Sequence, residues 1–153
     1  MDHSRSDALE AAVARRGDLH RALLDLERAL AGGARGRAQA WAELVRATLV
    51  RVRETFAAHV DVTEGADGLY QEVLAQAPRL SGAVNRLQHE HVEIASALDE
   101  VDNRLDASMS DADTWVESIR DAAVTLMGLL VRHRQRGADL VYEAYDVEIG
   151  GET

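Results

Sequence analysis

The sequence predicts an all-α protein: an up-down-up-down four-helix bundle with one short extra helix between the second and third long ones. Three observations predict it. Ala, Leu, Val, Glu and Arg dominate the chain and proline appears once, a composition suited to helix. Alternating Val/Thr/Tyr runs with hairpin dipeptides between them are missing, so strands have no support. Four long stretches repeat apolar residues at three- and four-residue spacing and are separated by stop signals.

The first helix is expected over residues 6–31, ending at Gly32 and Gly33, with Gly17 weakening its middle. The second runs over 37–63 and stops near Gly65. A loop at 65–68 leads to a short helix over 69–75, which Pro78 ends. The third long helix covers 81–106. Ser108 and Ser110 mark the next break, with Ser110 or Asp111 as the N-cap. The fourth reaches Gly137 and extends as far as Tyr145, leaving a polar, Gly-rich tail at 147–153. Short connections make neighbouring helices antiparallel. Residues 1–153 form a single domain, with a core over about 6–145 and a tail over 146–153.

Composition narrows the function. There is no cysteine, so a metal here takes nitrogen and oxygen ligands, which favours iron, zinc, manganese or copper over an iron–sulfur cluster. The net charge of -10 is spread along the chain and argues against nucleic acid, which asks for a clustered basic face. No apolar run approaches the roughly 20 residues of a membrane span. The first residues, Met1 to Arg5, lack a charged-then-apolar leader pattern. A cytoplasmic protein without membrane attachment is expected.

Each long helix then places one histidine on its apolar stripe. His20 shares a face with Val13, Leu23 and Leu24. His59 lies on the seam of Val45, Leu49, Val52 and Phe56. His91 lies on that of Val84, Leu87, Ile94, Ala95 and Leu98. His133 lies on that of Ile119, Leu126, Leu129 and Leu130. A buried imidazole needs partners for its ring nitrogens. Four of them in an aliphatic core would need four separate partner sets, and a shared metal satisfies them together. His89, two residues before His91, points to roughly the opposite face, and His3 lies in the N-terminal tail, so neither is a first choice as a ligand.

The segments around these histidines are GDLHRALLDLE, FAAHVDVTEGADGLY, LQHEHVEIASALD and RHRQRGADLVYEAY. Together they resemble the hemerythrin-like proteins of the HHE cation-binding family over essentially the whole chain. The resemblance implies a non-haem diiron centre, oxo- or hydroxo-bridged, with His20 and His59 on one iron and His91 and His133 on the other. Glu64 and Asp139 would then be the bridging carboxylates. It also implies a small-molecule oxidant (dioxygen, peroxide or nitric oxide) as the partner. Residue types alone admit manganese or zinc.

Three positions depart from the family pattern. The glutamate usual four residues after the second-helix histidine is Thr63 here, with Glu64 one position later. Five residues turn a helix about 140° past a full turn, so Glu64 faces the site only if the helix widens or unwinds at Gly65. Asp139 stands six residues after His133, one more than the family spacing, with Gly137 between them as the expected break. The extra histidine of oxygen carriers, four residues before His91, is Leu87. Its loss leaves one iron with an open or water-filled position, or one filled by Glu27, Tyr70, Tyr142 or Glu143. An open iron suits redox chemistry on a small oxidant. An iron-binding or redox-sensing module without turnover, and a metal-free helical interaction domain, are the alternative readings.

Overall fold

The computed structural model describes residues 6–107 and 109–146. His3, Ser108 and the tail at 147–153 lie outside the described residues. Five α-helices follow one another: α1 (Asp7–Ala31), α2 (Ala38–Glu64), α3 (Leu69–Gln76), α4 (Ser81–Asp106) and α5 (Ala112–Tyr145). A 3-10 turn, Pro78–Leu80, links α3 to α4. The long helices are α1, α2, α4 and α5, and α3 is the short extra helix.

Local chemistry explains the ends. Ser6 caps α1, its hydroxyl accepting the Leu9 N–H at 3.1 Å. Asp111 caps α5 by accepting the Asp113 N–H at 3.1 Å. Each satisfies one of the amide groups that a helix start leaves without a partner. The turn from α2 into α3 depends on glycine. A Cβ on Gly65 would lie 2.6 Å from the Asp61 carbonyl, and one on Gly68 would lie 2.8 Å from that of Thr63. Gly68→Ala is therefore expected to cost about 1–3 kcal/mol. Gly82→Ala, in the first turn of α4 with nothing within 4 Å of the added atom, is expected to be neutral or stabilising. Thermal melts of the two variants check this, and equal melting temperatures would refute it.

The long helices pack as antiparallel neighbours, most extensively α1 on α2 and α4 on α5. Ion pairs display the direction. Arg46 on α2 meets Asp106 on α4 at 2.8 Å, and seven residues further along, Arg53 meets Asp99 and Asp102, both at 2.6 Å. One helix ascends as the other descends. These half-exposed pairs are worth at most about 1 kcal/mol each, so they mark the register and contribute little to stability.

Burial of apolar side chains supplies the stability, at about 1.5–3 kcal/mol for each fully buried Leu, Ile, Val or Phe. It is divided between two clusters. The larger is built by the four long helices from residues such as Leu26, Trp41, Leu49, Ile94, Leu98 and Leu126. The smaller lies at the other end, where α3 takes over from α2. There Tyr70 and Val73 meet Leu9, Val84, Leu87 and Leu140. Leu24 and Ala95, expected on buried stripes, lie at 36% exposure and on the exposed face respectively. Each stands four residues past its histidine, and four residues overrun a turn by about 40°, carrying it to the stripe's edge.

Candidate metal centre

Three of the four histidines meet between the two clusters. His59 follows Phe56 of the larger cluster by one turn. His91 lies between Leu87 of the smaller and Ile94 of the larger. His133 lies between Leu130 and Leu140. All three are buried, at 9%, 4% and 4% exposure. One ring nitrogen from each lies within 4.8 Å of the others. The His133 Nε2 is the hub, 3.1 Å from the His59 Nε2 and 3.0 Å from the His91 Nε2.

Carboxylates back two of the three rings. The His91 Nδ1 contacts the Glu64 Oε2, and the His133 Nδ1 lies 2.8 Å from the Glu90 Oε1. The other Glu90 oxygen accepts from Arg136. Glu90 is only 6% exposed. Burial pushes its carboxyl up, but hydrogen bonds from His133 and Arg136 outweigh this and hold it below the usual carboxylate value. It is ionised at neutral pH.

The protons can now be assigned by chemistry. A carboxylate only accepts, so the Nδ1 of His91 and of His133 each carry the hydrogen they donate. Burial lowers the pKa of both rings, that of His133 to about 4, so neither holds a second proton at neutral pH. Their Nε2 atoms are therefore bare, and they face each other at 3.0 Å. Two lone pairs at that distance repel. A proton on the His59 Nε2 can satisfy its own contact with His133 but not the contact between His133 and His91. The His59 Nδ1 is buried and has no hydrogen-bond partner among the described residues. A cation between the rings turns the opposed lone pairs into ligands, so these residues fit a metal. Carboxylate-backed imidazoles are the usual support for metal-binding histidine.

Aromatic rings fix the tilt of His91. Tyr70 stacks on it with centroids 5.9 Å apart, and Phe56 meets it edge-on at 5.7 Å. Burial also pushes the Tyr70 hydroxyl pKa up, so it stays protonated. Beside the trio lies a cavity of about 50 Å³ walled by Leu19, Leu23, His20, Tyr70, Leu130 and Leu140. That is room for a diatomic molecule or a few waters.

The expected site residues divide. His59, His91 and His133 come together, and Glu64 joins them through His91. His20 is half-buried and lines the same cavity as His59 and His133, outside the trio. Asp139 is not brought to the site. It is exposed, and its Oδ1 accepts from Gln135 at 3.0 Å. The expected break at Gly137 does not occur, since α5 runs through it without interruption. Six residues past His133 therefore face away. The expected widening of α2 near Gly65 is also absent. The helix stays regular through Glu64, which reaches across to α4 from its last position. Among the residues weighed for an open position, Tyr70 is at the cavity wall, and Glu27, Tyr142 and Glu143 are on the surface. His89 is exposed, as expected. Glu90 escaped the sequence reading, although it stands three residues after Leu87 and four before Ile94, positions that share the buried stripe.

The trio also sets a pH response. An unfolded histidine takes its proton near pH 6.5. Burial and the neighbouring His133 and His91 lower the folded pKa of His59 to about 3, and burial first lowers that of His133 to about 4. Below pH 6.5 the unfolded chain binds more protons, so stability falls as pH falls. The metal-free protein is expected to melt at progressively lower temperature from pH 7 to pH 4.5. A flat profile over that range would contradict the assignment.

A helical bundle with inward-facing imidazoles backed by carboxylates defines a metal-binding class of protein. The chain belongs to the hemerythrin HHE cation binding domain family, whose model matches residues 16–145. Comparison with curated proteins and with solved structures finds no match. Among the described residues no helix is long and apolar enough to cross a membrane.

Proposed function

We propose that this chain is a non-haem iron protein that binds or reacts with a small oxidant: dioxygen, peroxide or nitric oxide. The observation that carries the reading is the pair of bare Nε2 atoms of His91 and His133 facing each other at 3.0 Å, which calls for a cation. The nitrogen-rich donor set suits iron, which offers redox chemistry and exchangeable coordination positions when bound.

The surrounding residues have separate tasks. His59, His91 and His133 hold the ion. Glu64 and Glu90 fix two of the rings as Nδ1–H tautomers, with Nε2 directed inward. Leu19, Leu23, Leu130 and Leu140 give the cavity beside the trio a largely apolar wall, suited to a small uncharged guest. Tyr70, protonated at the cavity wall, is hydrogen-bonded to Thr63 and presents a polar group beside the trio.

The test is consumption of peroxide and of nitric oxide by protein loaded anaerobically with ferrous iron, with the stopped-flow absorption spectrum recorded alongside. Consumption with a spectral change supports the reading. Loaded protein that leaves both oxidants untouched and shows no change with dioxygen would reduce the function to iron binding.

A further inference from the structure

The carboxylates that would have to lie between two irons are instead behind the imidazoles. We propose that the centre holds one divalent metal ion per chain, on His59, His91 and His133, in place of the carboxylate-bridged pair that the sequence led us to expect. The inference rests on the metal-binding reading above and concerns the number of ions.

Two ions held close together need donors shared between them. A bridging carboxylate must reach the Nε2 side of the rings. Glu90 is on the Nδ1 side of His133, with one oxygen facing that nitrogen and the other Arg136. Glu64 is on the Nδ1 side of His91. Thr63, one turn after His59, gives its hydroxyl proton to the His59 carbonyl at 2.8 Å. Asp139 is outside, held by Gln135. Among the described residues the histidine trio is the one group of three or more His, Asp or Glu side chains with ligand atoms within 4.8 Å.

Charge and spacing agree. Three imidazoles bring no negative charge, and of the two carboxylates behind them Glu90 is already paired with Arg136. One divalent ion already exceeds the negative charge that remains. A second ion would leave two further positive charges in a buried, largely apolar site, at a high desolvation cost. For a metal–nitrogen bond of about 2.1 Å, neighbouring octahedral ligands lie about 3.0 Å apart and tetrahedral ones about 3.4 Å apart. The observed separations of 3.0 and 3.1 Å match neighbouring octahedral positions on a single ion. Three histidines leave the remaining positions for small molecules.

The experiment is loading with ferrous iron, and separately with cobalt(II), followed by gel filtration and elemental analysis per chain. Electron paramagnetic resonance of the cobalt form provides an independent readout. The expected result is one ion per chain and an uncoupled high-spin cobalt signal integrating to one centre. His20→Ala is expected to keep that stoichiometry and to change cobalt affinity by less than about tenfold, because His20 stands outside the ligand set. Circular dichroism shows that the variant is folded. Two ions per chain, or a coupled signal of reduced intensity, would overturn the inference and leave the metal reading intact. Zero uptake would overturn both.

Discussion

Replacing His133 with alanine is expected to abolish metal uptake, whereas replacing His89 leaves it intact. His133 is the hub of the trio, with its Nε2 3.1 Å from that of His59 and 3.0 Å from that of His91. Its loss removes one of the three proposed ligands and deprives Glu90 of a hydrogen-bond partner. The affinity loss is expected to exceed the 10–100-fold typical of changes one step further from a metal. The metal-free fold should suffer less, by about 1–3 kcal/mol, since the variant leaves one buried acceptor short of a donor. His89 is exposed on α4, two residues before His91. The measurement is metal content together with iron-dependent near-ultraviolet absorption. Equal loss in both variants would mean that the ion sits elsewhere.

The second large effect is expected at Glu90. Glu90→Gln keeps the shape but replaces an obligate acceptor with a group that also donates. It no longer fixes the proton on the His133 Nδ1, so His133 can turn an N–H toward the metal position. Metal affinity should fall about 10–100-fold with the number of ions per chain unchanged. The fold should tolerate the change, because the remaining partner, Arg136, is 44% exposed and can be solvated. Calorimetric titration with cobalt(II) distinguishes the outcomes. Unaltered affinity would remove Glu90 from the site's support.

Much of this was legible in the residues, for physical reasons that also explain what was not. Helix ends agreed within about a residue because caps and breakers act locally: Ser6, Asp111, Gly32, Gly65 and Pro78 each act on their own turn. The seam histidines on α2, α4 and α5 followed from periodicity. His20 is less buried than expected because it neighbours Leu19 on the flank of the α1 stripe rather than at its centre. Glu90 was hidden by its charge. A carboxylate is read as solvent-facing unless its partner is known, and Arg136 is 46 residues away. Glu64 was expected as a bridging carboxylate, and its contact with the His91 Nδ1 across the α2–α4 interface was not legible. The assignment of Asp139 needed a distortion at Gly137. Nothing in the surrounding packing demands one, since a Cβ there would meet nothing within 4 Å.

The polar layer between the two apolar clusters bears on how this molecule comes apart. The larger cluster is continuous along four long helices, while the smaller depends on the eight-residue α3 and on the ends of α1, α4 and α5. With opposed lone pairs at the junction, the metal-free chain is expected to open first at the α3 end while the rest stays folded. An ion tying α2 to α4 and α5 at that junction would make the two ends unfold together. Loading would then be felt most strongly, by amide hydrogen exchange, in α3, which carries none of the three histidines.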